Sequence, residues 1–445
     1  MLAPLASTIY FPALPAISRD LNASSIAVNA TVSLFILFMG IAPVFWASLS
    51  DHYGIRRVLY LVSVLIFIGA TIGAAFVNST TLLIILRCIQ SCGSSSLYSL
   101  SPGTIADCFG IHERGMSMGL LFLGQYIGPL IGPTIGGFLT SRFGWRSTFY
   151  FCGAFGVFIF FIMFFALPET YRREDEWLEL PSDSSNLQQK GTNTIASEAQ
   201  DIHETVKIKI PNHVSRNTRT TTKRMNPFAS LALLKHWFLV IVSIETGISF
   251  GTMFTIETIL PELFSHVYGL SSAQTGITYL GAGCGNILGS CVGGVLSDYF
   301  MRQASKRRGG TNIPEDRLAP HMWLSGYLIV PGGALIFGWT VYYGVYIVAP
   351  IIGFGILCFG LMQISTSATT YLVDAVPGRG ASASAAANFV RMTIAAILSI
   401  TAEPLIQRIG VRYLSVLLAV LNLAIITAML WVKFKGEKLR KKSGL

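Results

Sequence analysis

The sequence predicts an all-α, polytopic membrane protein made of two six-helix bundles related by a pseudo-two-fold axis. Three observations predict it. Apolar runs long enough to span a bilayer recur along most of the 445-residue chain, which is 52% hydrophobic and only 12% charged; a hydrocarbon core of ~30 Å needs about 20 apolar helical residues. The runs fall into two sets of six on either side of a polar segment at 168–235. Finally, Ala47-Ser-Leu-Ser-Asp51, at the end of the second run, is echoed 247 positions later by Gly294-Val-Leu-Ser-Asp298, at the end of the eighth. A parallel repeat of six spans leaves such an echo.

In order, the spans read as 2–18, 27–49, 57–77, 82–106, 116–139 and 147–167, then 237–262, 272–297, 321–341, 345–372, 381–406 and 412–433. The first carries Pro4, Pro12 and Pro15 and starts almost at Met1. Its length of about 27 Å is marginal for a full crossing. With no basic leader and no cleavage pattern, it does not read as a signal peptide. The segment 168–235 is rich in Ser, Thr and Asn, has no apolar period, and carries ten basic and nine acidic residues. It reads as a flexible cytoplasmic linker. The domain reading is therefore 1–167, the first bundle; 168–235, the linker; 236–433, the second bundle; and 434–445, a basic tail.

Charge sets the orientation. One set of short loops, with the C-terminal tail, holds fifteen Lys and Arg, among them Arg56, Arg57, Arg114, Arg302, Arg317 and Arg379; the opposite set holds five, Arg19, Arg142, Arg146, Arg408 and Arg412. The richer side reads as cytoplasmic, with both termini on it. Two sequons, Asn22-Ala-Ser24 and Asn78-Ser-Thr80, then fall outside. The tail would lie at the inner leaflet, where anionic lipid attracts basic residues. The net charge of +10 does not point to nucleic acid, because the basic residues sit mostly at span ends. Six of the seven cysteines, Cys88, Cys92, Cys152, Cys284, Cys291 and Cys358, lie inside spans and read as small hydrophobes. No Cys/His cluster has metal-ligand spacing, no phosphate-cradling loop or nucleophile–base pattern is present, and no cofactor or enzymatic activity is expected.

The fifth span carries Gly124-Gln-Tyr-Ile-Gly128-Pro129-Leu-Ile-Gly132-Pro133-Thr-Ile-Gly136-Gly137, with glycine every fourth residue. On a helix this makes a slowly rotating stripe with almost no side chain. In water each interior glycine costs about 1 kcal/mol and each proline about 3 relative to alanine; in a membrane a neighbouring helix packed on the stripe makes both tolerable. Span 8 has a similar row, Gly281, Gly285, Gly289 and Gly293, and span 11 begins Ala381-Ser-Ala-Ser-Ala-Ala-Ala387.

Asp51-His-Tyr-Gly54-Ile-Arg56-Arg57 follows span 2; its acid suits helix N-termini and its arginines suit acids across the inner gap, while Asp298 and Arg302 form a weaker echo. Span 4 holds Arg87 with Gln90 and Ser94 on its face. A charge at that depth costs about 2.5–3.5 kcal/mol on insertion scales, so it should face a polar interior. Span 7 holds Glu245 and Glu257, about 120° apart around the helix. Burial suits a carboxyl to gaining and losing a proton; Glu245 reads as the deeper of the two. Asn388 and Arg391 make an inward-pointing i, i+3 pair in span 11, and Glu403 falls toward the outer surface.

These motifs carry a resemblance. The run Gly124–Gly137 resembles the antiporter motif of the fifth helix in drug:proton antiporters of the major facilitator superfamily. Asp51–Arg57 resembles that family's loop motif G-x-x-x-D-R-x-G-R-R, with Ala47 and His52 as departures; Arg87-Cys-Ile-Gln90-Ser-Cys-Gly93 resembles R-x-x-Q-G-x-G, with Ser91 as a departure. Leu167-Pro-Glu-Thr170, Trp145-Arg-Ser147 and Glu315-Asp316-Arg317-Leu318 narrow the resemblance to the fungal 12-span group that exports drugs, weak acids and polyamines. The resemblance implies a monomeric secondary exporter of small molecules in exchange for protons, most simply in the plasma membrane. An uncoupled facilitator and a non-transporting sensor remain as alternatives. Arg87, Glu245 and Glu257 become proton-coupling candidates; Asp51, Gly54, Arg56, Arg57 and Asp298 an inner latch; Gly124, Gly128, Pro129, Gly132, Pro133, Gly136 and Gly137 a hinge; Gln90, Asn388 and Arg391 cavity polar groups. The segment resembling Tyr10-Phe-Pro-Ala-Leu-Pro15 ends span 1 in the family with residues before it, so the first span is expected to be truncated here. The family fold implies contact of span 5 with span 8 and of span 2 with span 11, and the glycine rows of spans 5 and 8 are expected to face each other. Few acids line the spans, which leans against an exclusively polycationic cargo.

Overall fold

The computed structural model describes residues 2–53, 55–108, 114–168, 231–309, 313–376 and 380–442, which are helical and contain no strand. The linker expected at 168–235 lies almost wholly outside the described residues.

The first pass is α1 (Leu2–Thr8), a 3-10 turn (Phe11–Ala13) and α2 (Leu14–Asp20). Pro12 and Pro15 at the starts of the second and third pieces explain the breaks, because neither can donate to the preceding turn. Next come α3 (Ser25–Tyr53), α4 (Arg57–Ala75), α5 (Thr80–Cys108), α6 (Arg114–Phe143) and α7 (Arg146–Ala166). The second half comprises α8 (Trp237–Tyr268), α9 (Ser272–Arg307), α10 (Pro320–Leu324), α11 (Val330–Tyr342), α12 (Val348–Ala375) and α13 (Gly380–Lys442). Each expected span meets a helix, though α8, α9 and α13 run six, ten and nine residues past the expected ends.

Two passes differ from a plain rod. A π turn, Ser325–Ile329, joins α10 to α11; Pro331 follows it and cannot bond to the Tyr327 carbonyl, so the ladder widens locally. The eleventh and twelfth spans form one helical run folded at Gly410, whose φ of 76° and ψ of 165° are open to glycine and strained for any other residue. Between α8 and α9 the turn is set chemically: Gly269 takes the left-handed position that ends α8, and Ser271 with Gln274 forms a capping box that starts α9.

Among the described residues, eight helical runs are long and apolar enough to cross a membrane by length and composition. The broken first pass, serine-rich α5 and glycine-rich α6 are not among them. Burial separates centre from rim. The apolar window of α8 is 72% buried and that of α7 only 22%, and Phe158, Phe161 and Phe165 of α7 point outward, as lipid-facing side chains do. Within the halves α3 packs on α5, α8 on α13 and α9 on α12; across them α6 packs on α9 and α3 on α13.

Candidate functional site

The glycine rows lie against their own bundles. A methyl added at Gly128 would meet the Leu5 nitrogen at 2.8 Å; one at Gly132 would meet Thr8 Oγ1 at 2.5 Å; one at Gly136 would collide with the Ile9 carbonyl. The α6 stripe is thus a bed for α1, and Thr8 Oγ1 donates to the Gly128 carbonyl at 3.3 Å. In α9, Gly281 meets Ile351, Gly285 the carbonyl of Gly355, Gly289 the carbonyl of Phe359 and Gly293 the Cα of Gln363 at 2.9 Å, all on α12. The expectation that the two rows oppose each other is therefore corrected. Each row accommodates the closest helix pairing inside its half, where two backbones approach too near for a Cβ.

The halves meet through the adjoining register. Gly137 of α6 and Gly276 of α9 face each other, a Cβ at Gly276 lying 3.2 Å from the Gly137 Cα, and Thr134 Oγ1 donates to the Gly276 carbonyl at 3.2 Å. Gly283 sits on Leu130, where a methyl would stand 2.6 Å from its Cα. Of the motif glycines, Gly124 alone has no atom within 4 Å of an added Cβ. The expected contact of the second and eleventh spans is present: Gly40 faces Met392, Ser33 donates to Ser399 at 3.2 Å, and Thr258 of α8 meets Ser399 at 3.0 Å. Toward the end of the seam nearest the α2–α3 turn, Phe11 stacks on Tyr279 at 6.0 Å and Ser25 reaches Glu262 at 3.5 Å.

Arg391 stands on this interface. It donates to Asn388 Oδ1 at 2.6 Å, and Asn388 in turn donates to the Met39 carbonyl at 3.4 Å. Its guanidinium lies 4.6 Å from the centroid of the Phe250 ring, and Tyr98 of α5 and Tyr126 of α6 are within electrostatic reach. Arg391 Nε is buried without a hydrogen-bond partner.

Arg87 is placed differently. It is 1% exposed inside the first bundle, donating to the Ala6 carbonyl at 3.1 Å and to Gln90 Oε1 at 2.8 Å, with ring centroids of Tyr10 and Phe35 both 4.3 Å away. Gln90 passes its amide on to Thr71 Oγ1 at 2.8 Å. Gln90, expected in the cavity, is thus a bundle-interior group. Ser94 bonds its own helix, at Ser91.

Glu245 and Glu257 are 1% and 2% exposed. Glu245 Oε1 accepts from Ser249 at 2.8 Å, and its other oxygen has no partner. Glu257 Oε2 also has none; Tyr279 donates to its backbone carbonyl at 2.6 Å, and Cys358 of α12 lies within its electrostatic reach. Neither acid pairs with a base among the described residues. Glu403 is 5% exposed, accepts from Gln407 at 2.7 Å and neighbours Glu262.

On the opposite face, Arg57 donates to the Phe164 carbonyl at 2.7 Å, which holds α4 to α7 within one half. Arg56 is buried; Gly54 and the Asp51 side chain lie outside the described residues. Asp298 of the second-half echo pairs with Arg317, which also holds Asp374 at 2.8 Å, while Arg308 pairs with Asp316. Burial works against the Arg317 charge, but its bonds to Asp374 and Asp298 outweigh that and keep it above the usual range for arginine.

The sequence reading missed Tyr98, Tyr126 and Phe250. A signal for them existed: with Arg391 they sit about 10–13 residues from the same ends of α5, α6, α8 and α13, roughly 15–20 Å deep at ~1.5 Å per residue.

A family model for the Major Facilitator Superfamily matches residues 1–400. The chain is 35% identical over 451 residues to the MFS transporter fsa7 of Fusarium sp. (strain FN080326), spanning 99% of this chain and 83% of that protein. It is 27% identical over 538 residues to the MFS antiporter QDR3 of Candida albicans, spanning 99% and 77%. The crystal structure of a D-xylose–proton symporter shares the fold, with a TM-score of 0.66 at 14% identity over 96% of this chain and 93% of the other. Twelve helical passes among the described residues, a glycine–proline fifth span and a match across most of the chain agree: this multi-pass membrane transporter belongs to the major facilitator superfamily.

Proposed function

We propose that the protein is a secondary active exporter of small amphipathic molecules, such as drugs, weak organic acids or related metabolites, driven by inward proton movement through alternating access. The observation that carries the reading is the pair of buried carboxyls in α8. Glu245 and Glu257 each keep one oxygen without a partner, and neither has a base to neutralise it among the described residues. A carboxyl in that position changes its charge by exchanging a proton, which is what coupling requires. The hinge motif of α6 and the name of the relative QDR3, an antiporter, support exchange as the mode.

Alternating access needs two bodies that move against each other without interlocked side chains. Gly137 on Gly276 and Gly40 on Met392 give smooth contacts between the halves. The inner latch would include Arg56, Arg57 and Asp51 from the first half and Asp298 from the second. Both termini are assigned to the cytoplasm by the excess of basic residues on that side, in the plasma membrane as the simplest destination of an exporter. Asn22 and Asn78 of the two sequons are exposed in turns on the opposite side, which supports the same orientation.

Efflux from vesicles with an imposed pH gradient tests the proposal. The wild type should move cargo faster when protons flow inward, and Glu245→Gln or Glu257→Gln should abolish that acceleration. Efflux that ignores a collapsed gradient makes the protein a facilitator and ends the coupling argument.

A further inference from the structure

Arg391 is a cation about three turns inside α13, with no carboxylate partner among the described residues. Such a charge costs about 2.5–3.5 kcal/mol at a helix centre on insertion scales, so its environment must offset it. At Arg87 the enclosure is complete: two ring faces, a carbonyl and an amide oxygen close around a side chain that is 1% exposed, although Nε and Nη2 have no hydrogen-bond partner. At Arg391 it is partial. One face rests on Phe250 and one nitrogen bonds Asn388, while Nε has no partner and the residue is only half-buried, on the seam between the halves. The walls come from both bodies: Tyr98 and Tyr126 from the first half, Phe250 and Arg391 from the second.

We propose that Arg391 is the anchor for an anionic headgroup, so that the cargo site takes an amphiphile with a carboxylate on Arg391 and an aromatic or other apolar body against Phe250, Tyr98 and Tyr126. A planar guanidinium presents paired N–H donors that match a carboxylate, and the bond is charge-assisted. Phe250 supplies apolar area and Tyr98 and Tyr126 add a hydroxyl to theirs, a lining that suits an aromatic or other apolar body behind the headgroup. The inference deepens the exporter reading and rests on it for the identity of the bound molecule as cargo.

The test is binding to the purified full chain in detergent, without any pH gradient, of 1-naphthoate and its neutral isostere 1-naphthamide. The wild type should hold naphthoate about tenfold or more tighter, the scale of a charge-assisted pair. Arg391→Gln should lose that preference while binding naphthamide as before. Arg391→Lys, a point charge without the planar fork, should fall between them; it also covers the case in which the glutamine variant fails to fold. A wild type that binds both probes equally or neither, or a lysine or glutamine variant that keeps the full preference, overturns the assignment. Because no gradient is applied, failure of proton coupling leaves this result intact. Conversely, gradient-driven efflux of a neutral probe with no carboxylate preference removes this inference alone.

Discussion

The interiors of the two bundles bury charge of opposite sign, and they treat it differently. In the first half Arg87 is held by two rings, the Ala6 carbonyl and Gln90. In the second half Glu245 has one hydroxyl, from Ser249, and the carboxyl of Glu257 has no hydrogen bond at all on one oxygen. The chemistry of the groups explains the asymmetry. A guanidinium keeps its charge under all ordinary conditions, so its site has to offset that charge permanently, here with two ring faces and two acceptor oxygens although Nε and Nη2 go unbonded. A carboxyl can shed its charge by taking a proton, so a sparse site is tolerable and leaves it responsive. The comparison fits Arg87 to holding the first bundle together and, under the proposed function, leaves the proton-handling role to the acids of the second.

The largest expected effect comes from the contact that lets this arrangement form. Gly136→Val puts a branched side chain into the Ile9 carbonyl and lifts α1, with Ala6 and Tyr10, off Arg87. Size-exclusion chromatography should show almost no folded protein, whereas Gly124→Ala should express normally; equal yields would remove α1 from the account of Arg87. Arg87→Ala comes next. It leaves the Ala6 carbonyl and Gln90 short of a donor and a void between two rings, so unfolding in detergent should be easier by about 3 kcal/mol or more. A change of under ~1 kcal/mol would mean the two bundles do not differ in the way described.

Glu245→Gln and Glu257→Gln should behave in the opposite manner. Glutamine keeps the size of the side chain and one acceptor oxygen, so folding should shift by less than ~1 kcal/mol, while gradient-driven efflux falls about tenfold or more for the acid that carries the proton. An acid variant that unfolds like Arg87→Ala would identify a structural group instead. The smallest effect is expected at the inner face. Arg317→Gln breaks pairs to Asp298 and Asp374 whose acids are 57% and 35% exposed, so stability should drop by no more than ~1 kcal/mol. Any larger consequence should appear in transport rate, through the closure of that face.

Legibility varied with the kind of signal. Span positions were readable because a helix in lipid must be apolar over a fixed length; the ends were not, since polar turns extend α8, α9 and α13 by six to ten residues beyond the apolar run. The fold at Gly410 and the π turn before Pro331 were not read: a glycine or proline inside an apolar run marks a break without stating its geometry. The glycine row of α6 was found, but its partner was assigned to α9 instead of α1. Spacing shows that a stripe is bare; it carries no information about which neighbour lies on it. Asp298 was picked out by the internal repeat, yet its partner Arg317 lies nineteen positions further along, beyond any local period.

By itself the sequence determined the class of the molecule. The count of spans, the two-half repeat, the charge asymmetry and the chemical types buried within the helices all follow from the demand that lipid-exposed surface be apolar and that backbone groups be satisfied within each helix. Tertiary structure alone decided that Arg87 is enclosed while Arg391 is open to the seam, that Tyr98, Tyr126 and Phe250 gather at one depth, and that each glycine row serves its own bundle. The reason is that enclosure depends on the rotation of a helix about its axis and on the neighbour it meets, and both are set by packing among distant segments rather than by any residue's local neighbours.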